Sequence, residues 1–251
     1  MPILTALQRL SRWIAPSIPP KLIHANEKVS DADLVAVAVL RILHKQPYFS
    51  VWWSFMRVNF LPGLPSLTQA VTRLARLVGV VESIAVQVEA LSFVVIDSQP
   101  LPVCRFKRAK RCKVRGATFG YGSQGSVYGF KLHAWTKLNG QIALYSIRPA
   151  NLHDLTVGHQ LNAHWTLYGA PRIIGDKAYL DGTYLTPPKK NAKTNDPRWN
   201  DEYGTARKII ETTFSSLVRA GLRIAPIRSL PALRLRVALT VLAHNLAFFN
   251  P

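Results

Sequence analysis

The chain has 251 residues, 48% of them hydrophobic, and carries 32 Lys and Arg against 13 Asp and Glu, a formal charge of +19 at pH 7. Its size allows one good core, or one core with a small accessory domain, and the hydrophobic content with six tryptophans argues against a disordered basic tail. The charge calls for a polyanionic partner, because each cation set on a phosphate releases condensed counterions; a merely basic, ribosome-like protein is the alternative.

The first 20 residues are interrupted by Arg9, Arg12 and prolines and lack a signal-peptide core, and no uncharged apolar run is long enough to span a membrane. A soluble intracellular protein without a membrane partner is expected. Residues 1–88 read as helical. Ser30 with Asp33, and Ser66 with Gln69, have capping-box spacing. The valine-rich stretch 34–40 that follows the first box could be a strand, but the cap and its length favour a helix. Residues 49–60 are crowded with aromatics, read mostly as core. The helix after Ser66 carries Arg73 and Arg76 on its polar face. Three short helices ending in a basic one fit either a helix-turn-helix DNA reader or a packing or dimerisation module.

From residue 89 the pattern changes. Residues 91–96 form a continuous apolar run, as in a strand buried on both faces, and end at Asp97. Residues 127–135 alternate, and Asn139-Gly140 marks a hairpin into residues 141–147. Asn151 and Asp154 bracket a helix start, with His153 in the hydrogen-bond network there. Residues 172–175 form the next strand, ending at Asp176. A basic loop (Lys189, Lys190, Lys193), a helix bearing Glu211 and a final amphipathic helix over 231–248 complete the chain. This order, an antiparallel meander feeding a crossover helix into a parallel strand, is the opening of a ribonuclease-H-like α/β fold, a mixed sheet flanked by helices. Two domains are expected, 1–88 helical and 89–251 catalytic.

In so basic a chain, carboxylates at apolar strand ends are unlikely to be generic surface. Asp97, Asp176 and Glu211, converging from two strands and a helix, would make an oxygen-rich site for hard divalent cations and phosphodiester chemistry. Arg105, Lys107, Arg108, Lys110, Arg111, Lys113 and Arg115 crowd the segment after Asp97, either a solvated loop or a grip on phosphates. Phe119 and Tyr121 lie in a glycine-rich stretch suited to ordering on DNA, and Arg219, Arg223, Arg228, Arg234 and Arg236 extend a similar surface. Lys131 and His133 share one strand face, directed at DNA or at a metal's surroundings, although a histidine there can be structural. Cys104 and Cys112 fit no common zinc spacing, and the neighbouring cations are expected to lower their thiol pKa values.

Four segments in order, Val95-Ile96-Asp97-Ser98-Gln99-Pro100, Tyr128-Gly129-Phe130-Lys131-Leu132-His133, Gly175-Asp176-Lys177-Ala178-Tyr179 and Arg207-Lys208-Ile209-Ile210-Glu211-Thr212-Thr213-Phe214, resemble the DDE transposases of bacterial insertion sequences, most nearly the family numbered nine-eight-two. The resemblance spans about residues 90–220. It implies Asp97, Asp176 and Glu211 as catalytic, metal-binding triad, two Mg²⁺ ions with Mn²⁺ as substitute, cleavage of inverted-repeat ends of double-stranded DNA, and joining of the 3′-hydroxyls to target DNA. It also implies a homodimer on DNA and a cytoplasmic, nucleoid-associated protein. Arg207, one turn before Glu211, matches a cationic contact to DNA; Lys177 and Tyr179 would touch backbone or bases, the alternative being a solvated lysine and a packed tyrosine. The family's tyrosine and lysine positions around the glutamate are Gly204 and Val218 here, with Tyr203 and Arg219 beside them. A nuclease of the same fold without strand transfer, and a decayed DNA-binding copy, are the competing functions.

Overall fold

The computed structural model describes residues 2–20, 27–86, 91–122, 125–165, 171–188, 197–199, 202–222 and 227–249. They divide into two compact units, one of residues 1–86 with 231–251 and one of residues 87–230.

The helical unit contains α1 (Ile3–Ile14), α2 (Asp31–Leu43), α3 (Phe49–Asn59), α4 (Leu67–Arg76), α5 (Val78–Ala85) and α8 (Leu230–Asn245). Both capping boxes form: Ser30 Oγ accepts from Asp33 N at 3.0 Å and Ser66 Oγ from Gln69 N at 3.4 Å. Such caps contribute about 1 kcal/mol each, enough to settle the valine-rich stretch as helix α2, nearly all of which is buried. Arg73 is not displayed for a base: its Nε donates to Asp31 Oδ1 at 2.9 Å and its Nη2 to the Val29 carbonyl at 3.1 Å. The final helix departs from expectation in two ways. It is apolar on most sides, with residues 237–243 all buried, rather than amphipathic. It also groups with the helical unit rather than with residues 89–230. Asn245 Nδ2 donates to the Ala85 carbonyl at 2.7 Å, and Arg234 Nε to Glu82 Oε1 at 2.9 Å. Within this unit Arg234 is thus paired with Glu82, and Arg236 is partly buried.

The second unit is a five-stranded mixed sheet: β1 (Phe93–Pro102), β2 (Thr118–Gly122), β3 (Gly125–Thr136), β4 (Ile142–Pro149) and β5 (Arg172–Ile174). β3 pairs antiparallel with β1 along one edge and with β4 and then β2 along the other; β5 pairs parallel with β1. A parallel bridge from Ile174 to Leu185 adds the rudiment of a further strand. The Asn139-Gly140 turn closes the β3–β4 hairpin, with Gly140 at φ +95° as such a turn requires. Helix α6 (Asp154–Trp165) crosses from β4 to β5. Its Val157 and Leu161 pack with Val94, Ile96, Trp135, Ile173, Tyr179 and Tyr184 in one core, each large apolar side chain contributing about 1.5–3 kcal/mol. Helix α7 (Glu202–Leu217) buries Tyr203, Ala206, Ile210, Phe214 and Leu217 and packs on β1, β3 and β5. This is the ribonuclease-H-like arrangement expected from the element order. No helix among the described residues is long and apolar enough to cross a membrane. Arg223 and the lysines 189, 190 and 193 lie outside the described residues.

Candidate active site

Strand register brings two of the three expected carboxylates together. Val95 lies opposite Ile174 in the parallel pair, so two residues further along both chains reach Asp97 and Asp176 at the same level. Asp97 does not end its strand, as the apolar run suggested; β1 continues to Pro102, paired with β3, and only the pairing with β5 stops before it. Alternation places Val94 and Ile96 in the core under α6 and turns Val95 and Asp97 to the opposite face.

Each carboxylate is held by a nearby N–H. Asp97 Oδ1 accepts from Ser98 N at 2.7 Å, and Asp176 Oδ1 accepts from Ala178 N at 2.8 Å, capping a single 3₁₀ turn, Lys177–Tyr179. Burial pushes the Asp97 carboxyl up to about 6, and the Asp176 and Asp154 carboxylates push the same way; the Ser98 N–H and the Arg207 guanidinium oppose them. Two mutually repelling oxygen donors, one of them costly to ionise, would suit a hard divalent cation.

Glu211 is not drawn into that pair. It lies beside buried Ile210, and its own side chain is 60% exposed. Arg207, one turn earlier, reaches it at 3.6 Å (Nη2 to Oε1) while also acting on Asp97. Among the described residues no three His, Cys, Asp or Glu side chains converge closely enough to hold one ion. The pitch of α7 is fixed by its apolar face and by Thr213 Oγ1, which donates to the Gly140 carbonyl at 3.3 Å; Glu211 stands on the flank of that face.

The neighbouring positions of α7 have structural explanations. A Cβ on Gly204 would come 2.9 Å from the Trp199 carbonyl oxygen, so no tyrosine fits there without a shift. Tyr203 is instead a buried residue packed edge-on against Trp199. Arg219, next to half-buried Val218, is exposed and lines a groove of about 840 Å³ together with Gln99, Tyr128 and Ser215.

The expected DNA contacts divide. Arg105, Lys107, Arg108, Lys110 and Arg111 are all exposed around the 3₁₀ helix Phe106–Arg111, which is pinned by buried Ala109, and Lys177 is exposed beside Asp176. Tyr179 is not a contact: the 3₁₀ turn folds its ring fully into the core, where Gly175 and Gly158 leave room for it. Lys131 is also internal, with Nζ 2.9 Å from Asp154 Oδ1. The register explains this, because Asp97 faces Ala134 and alternation sends Lys131 and His133 to the α6 side of the sheet. His133 is fully buried, and burial lowers its imidazole to about 4, so it is neutral near pH 7. His153 Nδ1 accepts from Leu155 N at 3.3 Å, part of the anticipated helix-start network. Cys104 and Cys112 are free thiols, and Cys104 is shifted upward, not downward: burial and its hydrogen bond to Cys112 outweigh Arg108.

Asp154 is the residue that sequence reasoning undervalued. It was legible only as a helix start, yet it neutralises Lys131 and acts on both Asp97 and Tyr179. The available signal was Lys131 and His133 on one strand face, two groups calling for an acidic neighbour.

No curated protein and no solved structure matches the chain. A family model described as "Transposase DDE domain" matches residues 87–220, just over half of the sequence and nearly all of the sheet-bearing unit. The paired aspartates on adjacent parallel strands and the glutamate helix that follows them all fall inside the match, and the chain belongs to the transposase DDE-domain family.

Proposed function

We propose that this transposase cuts double-stranded DNA at insertion-sequence ends by metal-dependent phosphodiester hydrolysis and joins the resulting 3′-hydroxyls to target DNA. The observation that carries this reading is the Asp97–Asp176 pair, level across two parallel strands, with the Asp97 carboxyl raised to about 6. Asp97 and Asp176 would hold Mg²⁺, or Mn²⁺ in its place, with Glu211 as the third donor once α7 or its side chain moves inward. When bound, two such ions stabilise both the attacking and the leaving oxygen of an in-line displacement.

The protein's own groups supply the rest. Asp97 and Asp176 are oriented by the Ser98 and Ala178 N–H groups. Arg207 would transfer its charge from Glu211 to a DNA phosphate. Lys177 and the cations Arg105, Lys107, Arg108, Lys110 and Arg111 would hold the backbone of the duplex, and Arg219 would do so along the groove. Pairing two element ends calls for a dimer, with the helical unit as the natural candidate for the contact or for end recognition.

One observation favours a second reading, a copy that binds DNA without cutting it: Glu211 is exposed and paired with Arg207. Cleavage of a labelled duplex carrying the element's own end, with Mg²⁺, separates the two when wild type is compared with Asp176→Asn. Cutting that vanishes in the variant while DNA binding persists supports the metal-dependent enzyme. Cutting by both removes Asp176 from the site, and binding without cutting by either favours the second reading. Joining of the cut end to a second duplex distinguishes a transposase from a nuclease of the same fold.

A further inference from the structure

The groove of about 840 Å³ beside α7 opens next to the paired aspartates. Gln99, in its wall, follows Asp97 by two residues on β1, so alternation turns both side chains to the same face of the sheet. Across the groove stand Ser215 on α7 and Arg219 on the helical turn Val218–Leu222 that continues it. Glu211, Ser215 and Arg219 are four residues apart and all exposed, so they form one stripe along the helix. Beyond Gln99 the wall is aromatic, with Phe106 after β1 and Tyr128 on β3. Phe119 packs on both, its ring centroid 5.8 Å from that of Phe106 and 4.9 Å from that of Tyr128. Thr118 and Gly120 are turned the other way, towards Asn151 and Ala150, which leaves Phe119 and Tyr121 on the same side of the sheet as Tyr128. Phe106, Phe119 and Tyr121 are 51%, 51% and 74% exposed, and such a cluster of open rings marks a binding surface.

We infer that this groove is a track for single-stranded DNA leading away from the carboxylates, with bases stacked on Phe106 and the rings beside it. The inference rests on the DNA-cutting reading above and adds what that reading does not contain, a preference for DNA with an unpaired extension. Charge selects the occupant. Exposed Arg105 and Lys107 flank Phe106 in the chain, exposed Arg108, Lys110 and Arg111 follow, and exposed Arg219 lies opposite in the groove. A polyanion gains from each of these cations, whereas a second copy of a chain carrying +19 is repelled. The rings select the form of that polyanion. In a duplex the face of each base is covered by its neighbours, so aromatic side chains take only bases freed from the stack, and then take any of them. Phosphates of the same strand would meet Arg219 and the cations around Phe106, as in other single-strand tracks that combine a basic groove with stacking rings.

The test uses the full chain with chelator and no divalent metal, so that binding is read apart from cleavage. Fluorescence anisotropy compares a short blunt duplex with the same duplex carrying unpaired thymines on its 3′ or on its 5′ strand. The wild type is expected to bind one of the extended duplexes roughly tenfold more tightly than the blunt one. Phe106→Leu, which keeps an apolar side chain but loses the ring, should bring that ratio close to one with affinity for the blunt duplex retained. Phe106→Tyr should keep the ratio, and Leu138→Ala, exposed elsewhere on the unit, should leave it unchanged. Equal wild-type affinities for all three duplexes, or a Phe106→Leu ratio equal to wild type, would overturn the track while leaving the cutting reading intact. No binding of any duplex would overturn both. A change of oligomeric state in Phe106→Leu would assign the face to a second copy of the chain and overturn the track as well.

Discussion

The sheet end and helix α7, which the proposed function brings to one site, are placed by different physical means. At the sheet end every placement is made by backbone. The β1–β5 register sets Asp97 level with Asp176, and one N–H orients each carboxylate. On α7 the placement is made by packing, which fixes the buried face and leaves Glu211 on its flank, paired with Arg207. On the proposed reading the aspartate half of the site would be built before any ligand arrives, at an electrostatic cost in Asp97, while Glu211 would reach it by a rotamer change or a small roll of the helix.

The largest expected effect follows from that difference. Asp97→Asn or Asp176→Asn should lower cleavage of an end-bearing duplex at least about 10³-fold, because the proposed function sets these carboxylates at the centre of the chemistry. Glu211→Gln should cost about 10²-fold if an adjustable donor can be partly replaced by water. Single-turnover rates with Mg²⁺ check this, and a Glu211→Gln variant as fast as wild type would detach α7 from the site altogether.

Next comes Lys131. Breaking its buried pair with Asp154 by Lys131→Met should cost about 3 kcal/mol in urea unfolding, since one charge is left buried and uncompensated. The double variant Lys131→Met, Asp154→Leu should recover most of that loss. A Lys131→Met protein of normal stability with weakened DNA binding would restore the lysine to the DNA surface.

The stored cost at Asp97 can be read in the metal-free protein. Its carboxyl rises from 3.8 to about 6 on folding, so the native state binds this proton more tightly than the unfolded chain. The penalty is therefore absent below about pH 4, grows as pH rises and is complete above about pH 6. Asp97→Asn should match wild type at the acid end and exceed it by about 2–3 kcal/mol at pH 8. Added Mg²⁺ should stabilise wild type and not the variant. A flat difference across this pH range would mean that Asp97 is not strained by ionisation.

What could be read from the sequence follows the same division between backbone and packing. The Ser30 and Ser66 caps, the Asn139-Gly140 turn and the apolar run before Asp97 are local chemistry, and each formed where its residues stand. The nearness of Asp97 to Asp176 follows from the strand order. Tyr179 and Lys131 were misread because neighbouring residues cannot tell what closes over them: a 3₁₀ turn folds one ring inward, and α6 brings Asp154 onto the other. The attachment of α8 to the helical unit was hidden for the same reason, since it depends on Glu82 and Ala85, far away in the chain.

The smallest effects are expected where neither backbone nor packing is involved. Arg105, Lys107, Arg108, Lys110 and Arg111 are exposed on a short 3₁₀ helix held by Ala109. Replacing Lys110 or Arg111 with Ala should leave stability within about 0.5 kcal/mol of wild type. If each meets a phosphate, DNA affinity falls alike for every sequence, and the slope of log K against log salt drops by about one per residue removed. Salt titrations of the single and double variants measure this directly. Additive drops would place both cations on the duplex backbone, whereas an unchanged slope would make the run a solvated loop and leave the grip on DNA to Lys177, Arg207 and Arg219.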